Sequence, residues 1–175
     1  GDVRDEALLD PGELGEVVDL LLEARGHGVE GRAHARELAA ATGLTVVSAG
    51  YRLAPENAFP AGLDDSQAVV EWAASHRAEL HVAGDVFALV GDSSGGTFTA
   101  AIAARLHDAG TSPLTHQVLL YPSLDLDFDE TRYASLVENA VGYGMETAGL
   151  KPFNAFYLDS GADAADPLVS PIKRQ

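Results

Sequence analysis

Ser93 is the residue best placed for nucleophilic chemistry, because of its neighbours: Gly91-Asp92-Ser93-Ser94-Gly95-Gly96. The run Val86-Phe87-Ala88-Leu89-Val90 before it has the apolar character of a buried strand. Thr97 to Leu106 after it is rich in alanine and free of proline and interior glycine, which predicts a helix. A G-x-S-x-G turn between strand and helix is a nucleophile elbow, lifting the serine hydroxyl above the sheet edge. Side chains at 91 or 95 would collide with the neighbouring strand or helix. The same turn aims the Ser94 amide and the helix start at a developing oxyanion. The implied chemistry is acyl transfer, with Ser93 as nucleophile and Ser94 N–H as an oxyanion donor. A structural bend or a phosphate cradle could use the same glycines. No lysine follows them, so the phosphate version lacks its cation.

Ser93 needs a base within hydrogen-bond reach. The six histidines are His27, His34, His76, His81, His107 and His116. His76 and His81 fall at the end of a surface helix and in its following turn. His107 lies about 20 Å along the helix that starts at the elbow, at 1.5 Å per residue. His116 opens a strand, which puts it at the opposite sheet edge. Asp92 is too close in sequence to Ser93 to reach behind a histidine. No H-E-x-x-H spacing is present, and this chemistry needs neither metal nor cofactor.

The elements that must hold the elbow alternate along the chain. Asp5 to Glu23 reads as a helix, with Leu14, Val17, Val18, Leu21 and Leu22 on one face. Arg32 to Ala41 reads as a second helix, stopped by Thr42-Gly43, and Leu44 to Ser48 as a strand. A loop through Pro55 and Pro60 leads to a helix over about 64–77, with Val69, Val70, Trp72 and Ala73 toward a sheet. Strand 86–90, helix 97–109 and strand 116–121 follow, then one or two helices within 131–158. Alternating strands and helices imply a parallel sheet covered on both faces. Arg52 and Glu56 are close enough to pair within their loop. Tyr121-Pro122 and Tyr143 could line a pocket, but aromatic residues at strand ends are more often packing residues.

Tyr51-Arg52-Leu53-Ala54-Pro55-Glu56, Phe59-Pro60 and Asp64-Asp65 precede the elbow. Gln117-Val118-Leu119-Leu120-Tyr121-Pro122, Leu124-Asp125-Leu126-Asp127-Phe128, Gly142-Tyr143-Gly144 and Asp166-Pro167-Leu168-Val169-Ser170-Pro171 follow it in order. From about Arg36 to Pro171 the chain resembles the hormone-sensitive lipase family of α/β-hydrolases, microbial carboxylesterases and their relatives. The resemblance implies a partial α/β-hydrolase fold: a mostly parallel sheet, helices on both faces and part of a helical cap. It implies one incomplete domain over 1–175, divergent over 1–35, with a cap-like segment over 131–160. It also implies a serine carboxylesterase acting on small acyl esters.

Three departures from the family qualify that expectation. The family's acid and histidine lie beyond the point matching Arg174-Gln175, which suggests a truncated sequence. The His-Gly-Gly-Gly oxyanion loop has only His27-Gly28-Val29-Glu30-Gly31 as a relic, making Gly28 the candidate second donor; Val17 to Glu23 could be the core strand before it, but its 3.6-residue periodicity favours a helix. Gly50 stands where relatives carry an aspartate. A catalytically silent hydrolase-fold fragment or binding protein is therefore the rival expectation, and a partner chain supplying the acid and histidine is another.

Composition narrows the partners. The 175 residues carry 27 acidic and 11 basic side chains, a net charge of −16. Phosphate would be repelled, which disfavours nucleic acid and anionic membrane surfaces. Cysteine is absent, so there is no disulfide or thiolate metal site. No apolar run is long enough for a membrane span, and no secretory pattern opens the chain, so the cytoplasm is the expected location. Oligomeric state is not readable from the residues.

Overall fold

The computed structural model describes residues 17–22 and 29–175. They form β1 (Val17–Leu22), α1 (Val29–Thr42), β2 (Thr45–Ala49), α2 (Ala61–Ser75), β3 (Val86–Asp92), α3 (Ser94–Asp108), β4 (His116–Leu120), α4 (Ser135–Glu138) and α5 (Thr147–Tyr157). A 3-10 turn follows at Pro171–Lys173. The strands make one four-stranded sheet in the order β2-β1-β3-β4, and every pairing is parallel. For the order β2-β1-β3-β4 the right-handed crossover rule puts α1 on one face and α2 and α3, which pack together, on the other.

β1 corrects the sequence reading. Residues 17–22 are a strand rather than part of a helix; the rest of the helix expected over 5–23 lies outside the described residues. β1 pairs on both sides, Leu20 standing opposite Val47 in β2 and Leu89 in β3. A central strand of a parallel sheet, covered on both faces, has little need of alternation. Val17, Val18 and Leu20 to Leu22 therefore fit helical spacing equally well, and sheet pairing decides.

The core gathers on the face of β3 shared by α2 and α3. Phe87 and Leu89 of β3 are fully buried with Leu63, Val70 and Ala73 of α2 and Ala101 and Ile102 of α3. Each of the Phe, Leu, Ile and Val side chains among them is worth about 1.5–3 kcal/mol in burial. Leu63, Ser66, Val70 and Ala73 form the helical stripe of α2. Trp72 falls off that stripe, contrary to expectation, and lies half-exposed, stacked on His76 with ring centroids 4.9 Å apart. Arg105 of α3 ties the two helices through Asp64 at 2.8 Å and Gln67 at 2.9 Å.

The strand order reverses between β1 and β3. In open α/β sheets, ligands bind outside the carboxyl ends of strands at such a switch point. β3 ends there at Asp92, beside the end of β1, with Leu22 opposite Gly91. β4 is the opposite, open edge of the described sheet, with Val118 and Leu120 part-exposed.

Candidate active site

Ser93 is the single residue between β3 and α3, and its backbone takes φ 51°, ψ −118°. A non-glycine residue at positive φ costs on the order of 1–3 kcal/mol and survives where its surroundings fix it. Here the Ser93 N–H donates to the Leu120 carbonyl at 2.9 Å, and its carbonyl accepts from Thr97 N–H at 3.2 Å. The turn is thus held from β4 on one side and from α3 on the other. Ser93 is half-buried.

Glycine is required around it. A Cβ at Gly91 would run into the backbone of Gly95 and stand 2.5 Å from Thr99 Oγ1. A Cβ at Gly96, which the motif alone did not single out, would come 2.9 Å from Pro122 Cβ. This close approach lets α3 start directly at the strand end. Ser94 is its first residue, so its amide has no acceptor within the helix and sits at the positive end of the macrodipole.

Beside the elbow is a cavity of about 180 Å³. Four segments wall it: Tyr51 to Ala54 with Asn57, then Ser94, Thr97 and Phe98 of α3, the loop residues Ser123 and Leu126, and Phe153, Asn154 and Tyr157 of α5. Ser94 forms part of the wall; Ser93 adjoins it in the turn without lining it. The Tyr51 hydroxyl stands 3.5 Å from Ser94 Oγ. The pocket residues contributed by α5 escaped the sequence reading, although Phe153 and Tyr157, four apart, lie on one helical face.

The loop at Tyr51 is fixed differently from expectation. Arg52 pairs with Asp65, not Glu56: its Nε and Nη2 each donate at 2.8 Å, and its backbone N–H adds a bond at 3.1 Å. A bidentate carboxylate partner across the loop offers better geometry than a neighbour four residues on. The Arg52 bond holds the Asp65 carboxyl below its ordinary range, and the Asp65 bond raises Arg52.

The Leu126 side of the pocket is anchored as firmly. Its N–H donates to the buried Ser170 Oγ at 2.8 Å, and its carbonyl accepts from Asn154 Nδ2 at 3.1 Å. The adjacent Asp125 is buried and accepts from Tyr133 Oη at 2.7 Å and Arg132 Nη1 at 2.9 Å. Lys173 Nζ makes an ionic contact to its other oxygen at 3.1 Å. Burial opposes the charge on Asp125, but the Tyr133 hydroxyl and the Lys173 ammonium outweigh it and hold the carboxyl below its usual value.

No histidine, aspartate or glutamate lines this cavity among the described residues. His107 and His116 line a separate groove with Arg174, at the far end of α3. Tyr121 and Tyr143 are exposed and line neither cavity. Gly28 lies outside the described residues. No described helix is long and apolar enough to cross a membrane.

Comparison with known proteins agrees with this architecture. Residues 24–175 match a family described as alpha/beta hydrolase fold. The chain is 37% identical over 137 residues to Carboxylesterase NlhH of Mycobacterium tuberculosis, covering 78% of this chain and 42% of that protein. It is 33% identical to an ethyl acetate hydrolase of Pseudomonas putida, over 77% of this chain and 42% of that one. A hyperthermophilic esterase from the archaeon Pyrobaculum calidifontis superposes with a TM-score of 0.82 at 32% identity, covering 90% of this chain and 53% of its own. The chain thus spans less than half the length of these two curated relatives. Its sheet order, its glycine-tight elbow and the family match over residues 24–175 together show that it belongs to the hormone-sensitive-lipase-like branch of the α/β-hydrolase-fold family.

Proposed function

We propose that this chain carries the nucleophile and part of the oxyanion site of a carboxylic-ester hydrolase for small acyl esters. The observation that carries this reading is Ser93 at positive φ, clamped between Leu120 and Thr97 at the switch point of the sheet, beside a mostly apolar cavity. Ser93 Oγ attacks the ester carbonyl and gives its proton to a base. The Ser94 amide stabilises the resulting oxyanion, the alcohol leaves, and water releases the acid from the acyl-serine. Gly28 is the candidate for a second oxyanion donor. Residues 131–160 act as a cap-like part of one domain, divergent over 1–35. The similarity to Carboxylesterase NlhH and the ethyl acetate hydrolase supports ester chemistry.

A second reading is a catalytically silent hydrolase-fold module. It is favoured by the lack of histidine or carboxylate on the described cavity wall. Enzymes stripped of triad residues keep about a thousand- to ten-thousandfold acceleration over water. Hydrolysis of p-nitrophenyl acetate and butyrate by the wild type and by Ser93→Ala separates the readings. A rate that falls in Ser93→Ala supports the hydrolase. Equal rates for the two proteins, with or without acceleration over buffer, leave the silent module.

A further inference from the structure

We infer that Leu126 is a specificity-determining residue of this cavity's wall, limiting the bound apolar group to the size of a phenyl ring. This rests on reading the cavity as the ester-binding site. The volume, about 180 Å³, is close to that of dry apolar protein cavities that bind benzene, about 150 Å³. Aromatic rings dominate its walls: Tyr51 and Phe98 meet at 5.0 Å with planes 60° apart, and Phe98 and Tyr157 at 5.9 Å. Such edges and faces favour an aryl guest.

Several polar groups on the wall are turned to the protein itself, while the Tyr157 hydroxyl is buried with no partner among the described residues. Thr97 Oγ1 donates to the Ser123 carbonyl at 2.6 Å, Asn154 Nδ2 to Leu126 O, and Arg52 to Asp65. At the elbow end Ser94 Oγ and Tyr51 Oη stand 3.5 Å apart. The ligand this describes has an apolar, ring-sized body and a carbonyl oxygen at the Ser94 amide, the first of α3.

Leu126 belongs to the fixed part of the wall: it is 8% exposed, buried like Tyr51, Thr97 and Phe98, whereas Phe153 at the rim is 69% exposed. The Leu126 backbone is held through both N–H and C=O, and the next residue back is the buried Asp125 with its three cationic and phenolic partners. A wall fixed in this way discriminates by shape, and in a tight apolar pocket each surplus carbon costs about tenfold or more.

The test uses aryl ketones, which bear the ester's carbonyl but cannot be hydrolysed, so its outcome is independent of whether Ser93 turns over. Acetophenone and 2-acetonaphthone are titrated into the full chain by ligand-detected NMR. Acetophenone should bind the wild type at least about tenfold tighter, the cost of a single surplus carbon, with contacts from its ring protons to the Leu126 methyls. Leu126→Ala should erase or reverse that preference, and Leu126→Val should narrow it. Absent contacts to Leu126 in the wild type, or an unchanged preference in either folded variant, would overturn the assignment.

Discussion

Gly91 and Gly95 touch where β3 hands over to α3: a methyl group at 91 has no space because the Gly95 carbonyl already occupies it. Gly91→Ala must therefore push the first turn of α3 away from the strand. Overpacking of this kind costs typically about 1–3 kcal/mol, and backbone cannot give way as a side chain does. Urea unfolding should show a loss at the upper end of that range, together with loss of any Ser93 reactivity. A variant as stable and reactive as the wild type would show that the tight elbow is not what holds Ser93.

Ser94 is used through its amide, not its hydroxyl. The Tyr51–Ser94 contact, at 3.5 Å, is at the limit of a hydrogen bond and contributes little. Ser94→Ala keeps the amide and should retain ester hydrolysis to within about threefold, less than the cost of one neutral hydrogen bond of about 1 kcal/mol. A hundredfold loss would assign the chemistry to the side chain.

Asp125 makes stability depend on pH in a defined direction. Its carboxyl lies below its ordinary value when folded, so its contribution is complete above the unfolded value of about 3.9 and is lost as pH falls through the lower folded value. Asp125→Asn should cost about 1.5–3 kcal/mol at pH 7, the scale of hydrogen bonds to a charged group. Below about pH 4 the gap to the wild type should close. A gap that stays constant from pH 7 to pH 3 in urea titrations would contradict the charged network.

Tyr157 predicts the opposite sign. Its hydroxyl is buried without a hydrogen-bond partner among the described residues, and burial, with Tyr51 nearby, pushes the phenol's ionisation upward. An unsatisfied buried hydroxyl is a cost of about 1–3 kcal/mol, part of which Tyr157→Phe should recover. Thermal unfolding should move up or stay level. A destabilisation above about 1 kcal/mol would reveal a partner for that hydroxyl.

The parts of the fold that local chemistry dictates were readable. The elbow, β3 and α3 announce themselves through glycine spacing, a short apolar run and an alanine-rich stretch. The start of α2 is hidden because Ala61 and Gly62 carry no strong start signal: the residues point to about Asp64, and the helix begins at Ala61, directly after Pro60. What depended on distant partners was lost. β1 becomes a strand because β2 and β3 flank it, and Arg52 turns to Asp65 because α2 brings that carboxylate back to the loop. The cavity, too, is made by α5 and the Leu126 loop, more than 20 residues beyond the elbow, so Ser93 could be named from the sequence and its surroundings could not.

Covalent labelling by a fluorophosphonate, read out by peptide mass, tests the nucleophile most directly. One adduct per chain is expected, on Ser93, absent in Ser93→Ala. An unlabelled wild type, or an adduct that persists on another serine when Ser93 is replaced, would contradict it.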